Sequence, residues 1–314
     1  MSVTTGPTAP IPSGISEAAR RHLAQAPVEV PGYPALDDTE GWLKTVELRD
    51  SFIARRFAGV EFPVAAEERQ VAGVHTYVLR PDGLTDETPV YLDIHGGALI
   101  FGGGDLCRRM GSGTAMASGM LTWSVDYRMA PLHPYPAALD DCLAVYRALL
   151  DVRDPADVFV GGGSAGGNLA AALLVRARDE GLPMPAALVL ASPEVDLTES
   201  GDSFHTLAAF SSTLSSLMPI NLLYANGHDL ADPYLSPLFA DLTGFPPTLL
   251  QAGTRDLFLS NTVRMHRALL AAGAQADLHI FEAMPHGGFT GTTPEDADLN
   301  ATIRRFLDDH RRGG

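Results

Sequence analysis

Cysteine and basic residues are scarce in this sequence, and each scarcity excludes a class of protein. The two cysteines, Cys107 and Cys142, do not form a C-x-x-C pair. A disulfide framework or a zinc ribbon is therefore excluded. Lys and Arg number 22 against 38 Asp and Glu, which gives a formal net charge of −16. Such a surface repels nucleic-acid phosphates and anionic lipids, so we expect neither as a partner.

Long apolar runs are missing as well. No window approaches the roughly 20 apolar residues that a helix needs to span a bilayer. The first residues, MSVTTGPTAPIPSG, contain no basic segment followed by an apolar one, so no signal peptide is expected. These absences predict a soluble, cytoplasmic protein. Since 46% of the 314 residues are hydrophobic, the chain can form the core of one large domain, alone or with a smaller appendage.

Short apolar segments alternate with helical patterns along most of the chain. We predict strands at 74–80, 90–94, 121–127, 157–162, 187–192, 247–253 and 277–282. Helices are predicted at 16–26, 40–58, 136–150, 164–178 and 261–272. Apolar strands that alternate with helices are typical of a parallel sheet covered on both faces.

One interval breaks this alternation. Residues 196–245 contain no clear strand but have a helical texture rich in Leu, Phe and Met. We interpret this interval as an insertion that forms a helical cap together with the N-terminal helices in 1–59. The core of the domain would then consist of 60–195 and 246–314.

The segment GGSAG at 162–166 matches the G-x-S-x-G nucleophile elbow and lies where a predicted strand passes directly into a helix. In this motif the serine adopts a strained backbone conformation, and small neighbours let the strand and the helix approach closely. The helix N-terminus also directs free N–H groups toward developing negative charge. We therefore predict that Ser164 is a nucleophile.

A serine nucleophile needs a histidine base and an acid that orients it, in the chain order Ser, Asp or Glu, His on this kind of sheet. His286 lies in a glycine-flanked loop directly after the strand 277–282, at the sheet edge where active sites of open α/β proteins form. Asp256 follows the strand 247–253 in the same way and is the predicted acid. Glu194 and Asp196, which follow the strand 187–192, are its rivals.

The loop HGGALIFGGG at 95–104 follows the strand 90–94 and is the predicted oxyanion loop. The predicted oxyanion-hole residues are Gly96, Gly97, Ala98 and Ala165. The main-chain N–H groups of Gly97, Ala98 and Ala165 are the expected donors to the oxyanion. His95 is expected to brace this loop rather than to act as a base.

Taken together, these motifs resemble those of the bacterial hormone-sensitive-lipase-type carboxylesterases of the α/β-hydrolase superfamily. The resemblance lies in HGG (95–97), DYRMAPLHPYPAALDD (126–141), GGSAGGNLA (162–170), Asp256 and His286. It implies an α/β fold with about eight mostly parallel strands and a helical cap. It also implies a Ser164–Asp256–His286 triad, an oxyanion hole at Gly97, Ala98 and Ala165, and support of the oxyanion loop by residues 126–128.

Two segments also resemble a narrower branch of the family, and two positions differ from the usual family pattern. GTRDLFLSN (253–261) and FEAMPHGGF (281–289) are similar to sequences named as monoterpene ε-lactone hydrolases. Ala98 stands where the family usually has the third glycine of HGGG. Alanine keeps its N–H group, and the oxyanion hole is expected to survive if φ at this residue is negative. Gly163 stands where the residue before the nucleophile is commonly acidic. Family habit also suggests a homodimer through the strand 277–282.

The function predicted from these features is hydrolysis of small neutral carboxylic esters, with lactones as a further substrate class and no cofactor. An amidase or formamidase would use the same triad, and a non-catalytic binding protein on this fold would be expected to lose a triad member. No H-E-x-x-H or comparable spacing favours a metallohydrolase. Apolar residues near the oxyanion loop and in the insertion are expected to line an enclosed pocket: Leu99, Ile100, Phe101, Phe204, Leu207, Phe210, Leu214, Leu217 and Met218.

Overall fold

A computed structural model describes residues 9–25, 32–208, 215–289 and 291–312. Its centre is one eight-stranded sheet with the strands in the order β1-β2-β4-β3-β5-β6-β7-β8. Only β2 runs antiparallel to its neighbours, and all other strands are parallel to one another. The strands are Val64–Val71, Val74–Pro81, Val90–Ile94, Leu121–Val125, Val158–Gly163, Ala187–Ala191, Thr248–Arg255 and Ala276–Pro285.

Nine α-helices connect or flank these strands within the described residues. Their bounds, in chain order from α1 to α9, are Glu17–Leu23, Thr39–Arg56, Asp105–Ser118, Ala137–Leu150, Ala165–Asp179, Asp202–Thr206, Met218–Ala225, Leu259–Ala271 and Pro294–Asp309. Within the part of the chain that the structure describes, no helix is both long and apolar enough to cross a membrane.

The central strands β3, β5 and β6 are buried along almost their whole length because helices cover both faces of the sheet. On one face α4 and α5 form the main core with these strands. On the other face the apolar residues of α9 pack on the sheet through Phe306 and Leu307. This arrangement brings the carboxyl ends of the parallel strands to one edge, where β3, β5, β7 and β8 each lead into a loop with predicted functional residues.

Helix α2 and the insertion meet at this edge. Trp42 of α2 is fully buried in an apolar cluster with Phe204 of α6 and Ile220 of α7. Helix α1 lies elsewhere, since its Ala19 packs against Met284 and Phe289 beside the loop after β8. The cluster around Trp42 is called the cap cluster below.

The prediction of seven strands missed β1, and the prediction of helices missed α3 and α9. Strand β1 reads VAAEERQV, and its six central residues are exposed. It therefore has no apolar alternation, because it is an edge strand paired only with β2. Helix α9 begins at a capping box formed by Thr293 and Asp296.

Candidate active site

Ser164 lies in the sharp turn between β5 and α5, with φ +57° and ψ −125°. Neighbouring glycines are required by close approaches of the backbone. A Cβ atom on Gly166 would lie 1.9 Å from the carbonyl oxygen of Ile94, and one on Gly162 would lie 2.4 Å from the carbonyl oxygen of Gly166. The strained turn therefore holds the serine side chain out at the end of the sheet.

His286 and Asp256 lie in line with this serine. The Nε2 atom of His286 is 3.0 Å from the Ser164 Oγ, and its Nδ1 atom is 3.1 Å from both carboxylate oxygens of Asp256. Asp256 is fully buried, and it also accepts a hydrogen bond from the N–H group of Phe258 at 2.9 Å. The Phe258 ring contacts the imidazole edge-to-face, with centroids 5.0 Å apart. These contacts fix both the acid and the plane of the histidine ring.

The rival acids lie in other surroundings. Asp196 accepts hydrogen bonds from Ser200 and from Arg264, each at 2.6 Å. Glu194 is buried, and neither of its carboxylate oxygens has a hydrogen-bond partner among the described residues. Burial raises the pKa of Glu194 to about 8, so this carboxyl group is neutral near pH 7. Neither rival is hydrogen-bonded to His286.

The oxyanion loop and the first residue of α5 carry three unpaired backbone donors. The N–H groups of Gly97, Ala98 and Ala165 donate to no acceptor within the described ranges. Gly96 lies directly against the nucleophile, because a Cβ atom there would be 3.4 Å from the Ser164 Cβ. An oxyanion is stabilised by unpaired N–H groups that lie beside the nucleophile.

The backbone of this loop corrects one expectation. The angle φ at Ala98 is +49°, not negative, and φ at Leu99 is +65°. Glycine adopts such values at little cost, which explains physically why a third glycine is usual in this loop. Ala98 adopts the left-handed conformation in spite of its side chain, and its N–H group is still unpaired.

Side chains behind the loop hold its shape. Tyr127 donates a hydrogen bond to the carbonyl oxygen of His95 at 2.8 Å, and their rings stack with centroids 4.2 Å apart. Asp126 accepts from the N–H group of Gly104 at 3.0 Å. Arg128 instead pairs with Asp141, at 2.7 Å. Residues 126 and 127 therefore contact the loop directly, whereas residue 128 does not.

One group of potential metal ligands was found among the described residues. Atoms of His95, Cys107 and Asp126 lie within 4.8 Å of one another. Asp126 is already engaged by His75 at 3.0 Å, and Cys107 is 3.4 Å from the Ser124 hydroxyl. Burial lowers the pKa of His95 and raises that of Cys107 well above 9.0. The buried His95 and Cys107 side chains therefore act as uncharged polar packing beneath the oxyanion loop.

The nine predicted pocket residues separate into groups. Five of them join the cap cluster: Ile100, Phe101, Phe204, Leu207 and Leu217. Leu99 does not join this cluster. Ala98 and Leu99 both have left-handed backbone conformations, and the Leu99 side chain is buried in the main core. Met218 is half-buried. Phe210 and Leu214 lie outside the described residues.

A cavity of about 340 Å³ opens onto Ser164 and His286, and none of those nine residues lines it. Its polar lining comes from residues distant in the sequence: Ser192, Gln251, Asp296 and Asn300. Gly96, Gly163, Ala191, Leu299 and the glycines after His286 also line it. Sequence reasoning missed these polar residues, and the one signal that points to the cavity is the glycine at position 163.

Comparison with known proteins agrees with this geometry. A family model described as the alpha/beta hydrolase fold matches residues 91–290, which is more than half of the chain. The chain belongs to the α/β hydrolase family. The predicted fold class is confirmed, with eight strands and helices on both faces.

Curated relatives of this α/β hydrolase carry esterase names. An esterase of Acinetobacter venetianus is 36% identical over 229 residues, which cover 70% of this chain and 74% of the relative. Carboxylesterase NlhH of Mycobacterium tuberculosis is 32% identical over 244 residues, covering 72% and 76%.

Solved structures extend the similarity to almost the entire chain. The crystal structure of an esterase E25 has a TM-score of 0.90 at 34% identity and covers 99% of each chain. A second structure, described as an esterase from the bacterial hormone-sensitive lipase family, has a TM-score of 0.78 at 33% identity and covers 93% and 95%. The predicted family, the bacterial hormone-sensitive-lipase type, is thereby confirmed.

Proposed function

We propose that this α/β hydrolase cleaves small neutral carboxylic esters through an acyl-enzyme intermediate formed on Ser164. The observation that carries the proposal is the hydrogen-bonded line from the Ser164 hydroxyl through His286 to the buried Asp256, at 3.0 and 3.1 Å. The esterase names of the relatives and neighbours support the same reaction class.

Acylation begins when the Ser164 Oγ attacks the ester carbonyl carbon. His286 Nε2 accepts the serine proton and then delivers it to the leaving alkoxide, which departs as the alcohol. Asp256 accepts a hydrogen bond from Nδ1, which keeps Nε2 free to act as the base and stabilises the imidazolium. The N–H groups of Gly97, Ala98 and Ala165 donate to the oxyanion of the tetrahedral intermediate.

Deacylation repeats these steps with water. His286 removes a proton from the water molecule as its oxygen attacks the acyl carbon, and the bond to Ser164 Oγ breaks as the serine regains its proton. None of these steps requires a metal or an organic cofactor.

Substrate size follows from how the cap meets the site. We treat residues 1–59 and 196–245 as cap segments because α2, α6 and α7 share one apolar cluster with Ile100 of the oxyanion loop. Phe204 and Leu217 are almost fully buried in that cluster. A packed apolar cluster beside the oxyanion loop leaves little room for a long lipid chain and favours short acyl chains and compact rings. We therefore expect short-chain esters, and medium-ring lactones as a second class.

The test compares Ser164→Ala with Ser51→Ala, which removes a hydroxyl from the exposed face of α2. Hydrolysis of a p-nitrophenyl butyrate should be lost in the first variant and retained in the second, while circular dichroism stays native in both. Appreciable turnover by pure Ser164→Ala protein would contradict the serine mechanism.

A substrate panel tests the specificity. The kcat/KM values for acyl chains of increasing length, for medium-ring lactones and for matched amides should be highest for the short neutral esters. A rate that rises steadily toward long acyl chains would contradict the closed pocket. A clear preference for amides would identify an amidase that uses the same triad.

A further inference from the structure

Asp50 is a charged residue on the apolar face of helix α2. It follows Trp42 by two helical turns and Val46 by one, so the three side chains lie on the same side of the helix. Trp42 and Val46 pack in the cap cluster, and Asp50 is half-buried. Partial burial of a carboxylate is costly unless the group is hydrogen-bonded. The position of Asp50 on this face therefore requires a polar partner.

That partner is the main chain of the oxyanion loop. The Oδ1 atom of Asp50 accepts a hydrogen bond from the N–H group of Gly102 at 2.9 Å. Gly102 is buried, and Asp50 is the only acceptor for its N–H group among the described residues. Burial raises the pKa of the Asp50 carboxyl group, and the hydrogen bond from Gly102 opposes this rise. A hydrogen bond to a carboxylate is stronger than one between neutral groups, so this contact is well suited to fix the loop.

Gly102 lies at the end of the loop but packs against its beginning. Its φ angle is +100°, and a Cβ atom there would lie 2.9 Å from the carbonyl oxygen of Gly96. A Cβ atom on Gly97 would lie 1.8 Å from the carbonyl oxygen of Phe101. The N–H group of Phe101 also donates to the carbonyl oxygen of Gly97 at 3.0 Å. Residues 96–102 therefore form a closed turn, in which a shift of Gly102 also moves the expected oxyanion donors.

The other anchors of this loop come from the core of the domain. Tyr127 donates to the carbonyl oxygen of His95, and Asp126 accepts from the N–H group of Gly104. Both anchors belong to the segment that follows β4. Asp50 belongs to α2 instead, and its hydrogen bond is the only one between α2 and the loop in the part of the chain that the structure describes. This contact therefore links the cap to the oxyanion loop.

We propose that Asp50 is a positioning residue for ester hydrolysis, which holds the oxyanion loop in its active shape by anchoring Gly102 to α2. The inference rests on the proposed function, in which Gly97 and Ala98 donate to the oxyanion. Asp50 acts through the main chain of the loop and takes no part in proton transfer. Without Asp50 the buried N–H group of Gly102 loses its acceptor, and the loop shifts to find another. The donors are then misaligned with the oxyanion, which exists only after the serine has attacked.

Substitutions at Asp50 test this role in steady-state assays with p-nitrophenyl butyrate. Asp50→Ala removes the acceptor and should lower kcat by about 10- to 100-fold with little change in KM, because the lost interaction is made in the transition state. Asp50→Asn keeps an acceptor oxygen in the same place and should retain kcat within about threefold. Asp50→Ser has a shorter side chain that does not reach Gly102, and it should show the same loss as alanine if the alanine variant folds poorly.

The matched control is Glu47→Ala. Glu47 is an exposed carboxylate one turn earlier on the same helix. Its removal changes the charge of α2 by the same amount as Asp50→Ala and should leave kcat and KM at the wild-type values. Circular dichroism and melting temperatures show whether each variant is folded at the assay temperature.

A transition-state analogue supplies a readout that a loss of stability alone does not change. A trifluoromethyl ketone adds to a serine nucleophile to form a tetrahedral oxyanion, so its affinity reports the state of the oxyanion hole. Its inhibition constant should rise by about the same factor as kcat falls in Asp50→Ala. It should stay close to the wild-type value in Asp50→Asn and in Glu47→Ala.

The possible outcomes separate this inference from the proposed function. A lower melting temperature of Asp50→Ala with unchanged kcat and inhibition constant would show that Asp50 only attaches α2, and would overturn the inference. Equal losses of kcat in Asp50→Asn and Asp50→Ala would overturn it as well, because the charge and not the hydrogen bond would then matter. A rise in KM alone would assign Asp50 to substrate binding instead. No release of p-nitrophenol by the wild type would contradict the proposed function itself.

Discussion

Glu194 should make the stability of this protein fall as the pH rises, because its carboxyl group is buried. It follows β6, and its side chain is 1% exposed. Its main chain connects it to the nucleophile elbow, since its N–H group donates to the carbonyl oxygen of Ser164 at 3.1 Å. Burial raises its pKa from 4.5 to about 8. The Asn221 side chain opposes this rise in pKa, and the nearby Glu199 and Asp196 add to it.

The sign and the magnitude follow from this pKa. Above pH 4.5 the unfolded chain releases the proton, while the native protein retains it up to about pH 8. The native state therefore binds more protons in this window, and the free energy of unfolding falls as the pH rises. Each pH unit lowers it by about 1.4 kcal/mol, which amounts to roughly 4 kcal/mol between pH 5 and pH 8.

Glu194→Gln keeps a neutral side chain of the same shape at every pH and removes this dependence. Urea unfolding at pH 5, 6, 7 and 8 should show the variant gaining stability relative to the wild type at each step, by a total of about 4 kcal/mol. Glu47→Gln, on the exposed face of α2, controls for the substitution itself. Parallel pH profiles for the wild type and Glu194→Gln would refute the reasoning.

Four further changes test the site. Asp256→Asn should lower kcat by about three to four orders of magnitude, because the tautomer of His286 is no longer fixed. Glu194→Gln should change kcat by only a few-fold. If steady-state assays show the larger loss for Glu194→Gln, the catalytic acid is Glu194 instead. Gly97→Ala should abolish activity and lower the melting temperature, since its Cβ would lie 1.8 Å from the carbonyl oxygen of Phe101; a fully active variant would contradict the loop geometry. Ala98→Gly should leave kcat intact and raise the free energy of unfolding by about 0.5 to 1 kcal/mol, because φ at this position is +49°, which glycine adopts more easily than alanine. The control Ala54→Gly, in α2, should lower the free energy of unfolding by about 1 kcal/mol. Chelators should leave the initial rate unchanged, and a loss of activity restored by a divalent metal would contradict the metal-free mechanism.

Local sequence predicts the central strands because their apolar runs are contiguous. The segments at 90–94 and 187–192 coincide with β3 and β6 to within one residue. Strand β1 could not be found in the same way, because its polar residues pair along the sheet edge and bury nothing. Helix α3 was missed because Gly111, Gly113 and two serines weaken its helical pattern, although six of its residues are buried against the sheet.

In the site, too, residues with a local sequence signal could be predicted, whereas residues brought together only by folding could not. Ser164, Asp256 and His286 each follow a strand directly, so that sheet order alone predicts their convergence at one edge. The polar cavity has no such signature, because Gln251 of β7 meets Asp296 and Asn300 of α9 only in the folded chain. Leu99 was predicted to line the pocket, whereas in the structure it is buried in the main core. Its direction depends on positive φ angles at Ala98 and Leu99, which the sequence does not predict for an alanine and a leucine.

The acyl-enzyme on Ser164 is the central claim, and trapping it is the most direct test. A p-nitrophenyl butyrate is mixed with the enzyme, the reaction is quenched in acid within milliseconds, and the protein is digested and analysed by mass spectrometry. The account predicts a butyryl group on the peptide that contains Ser164, and none on that peptide in Ser164→Ala. Rapid release of p-nitrophenol with no butyryl group on Ser164, or with the group on another residue, would contradict the account.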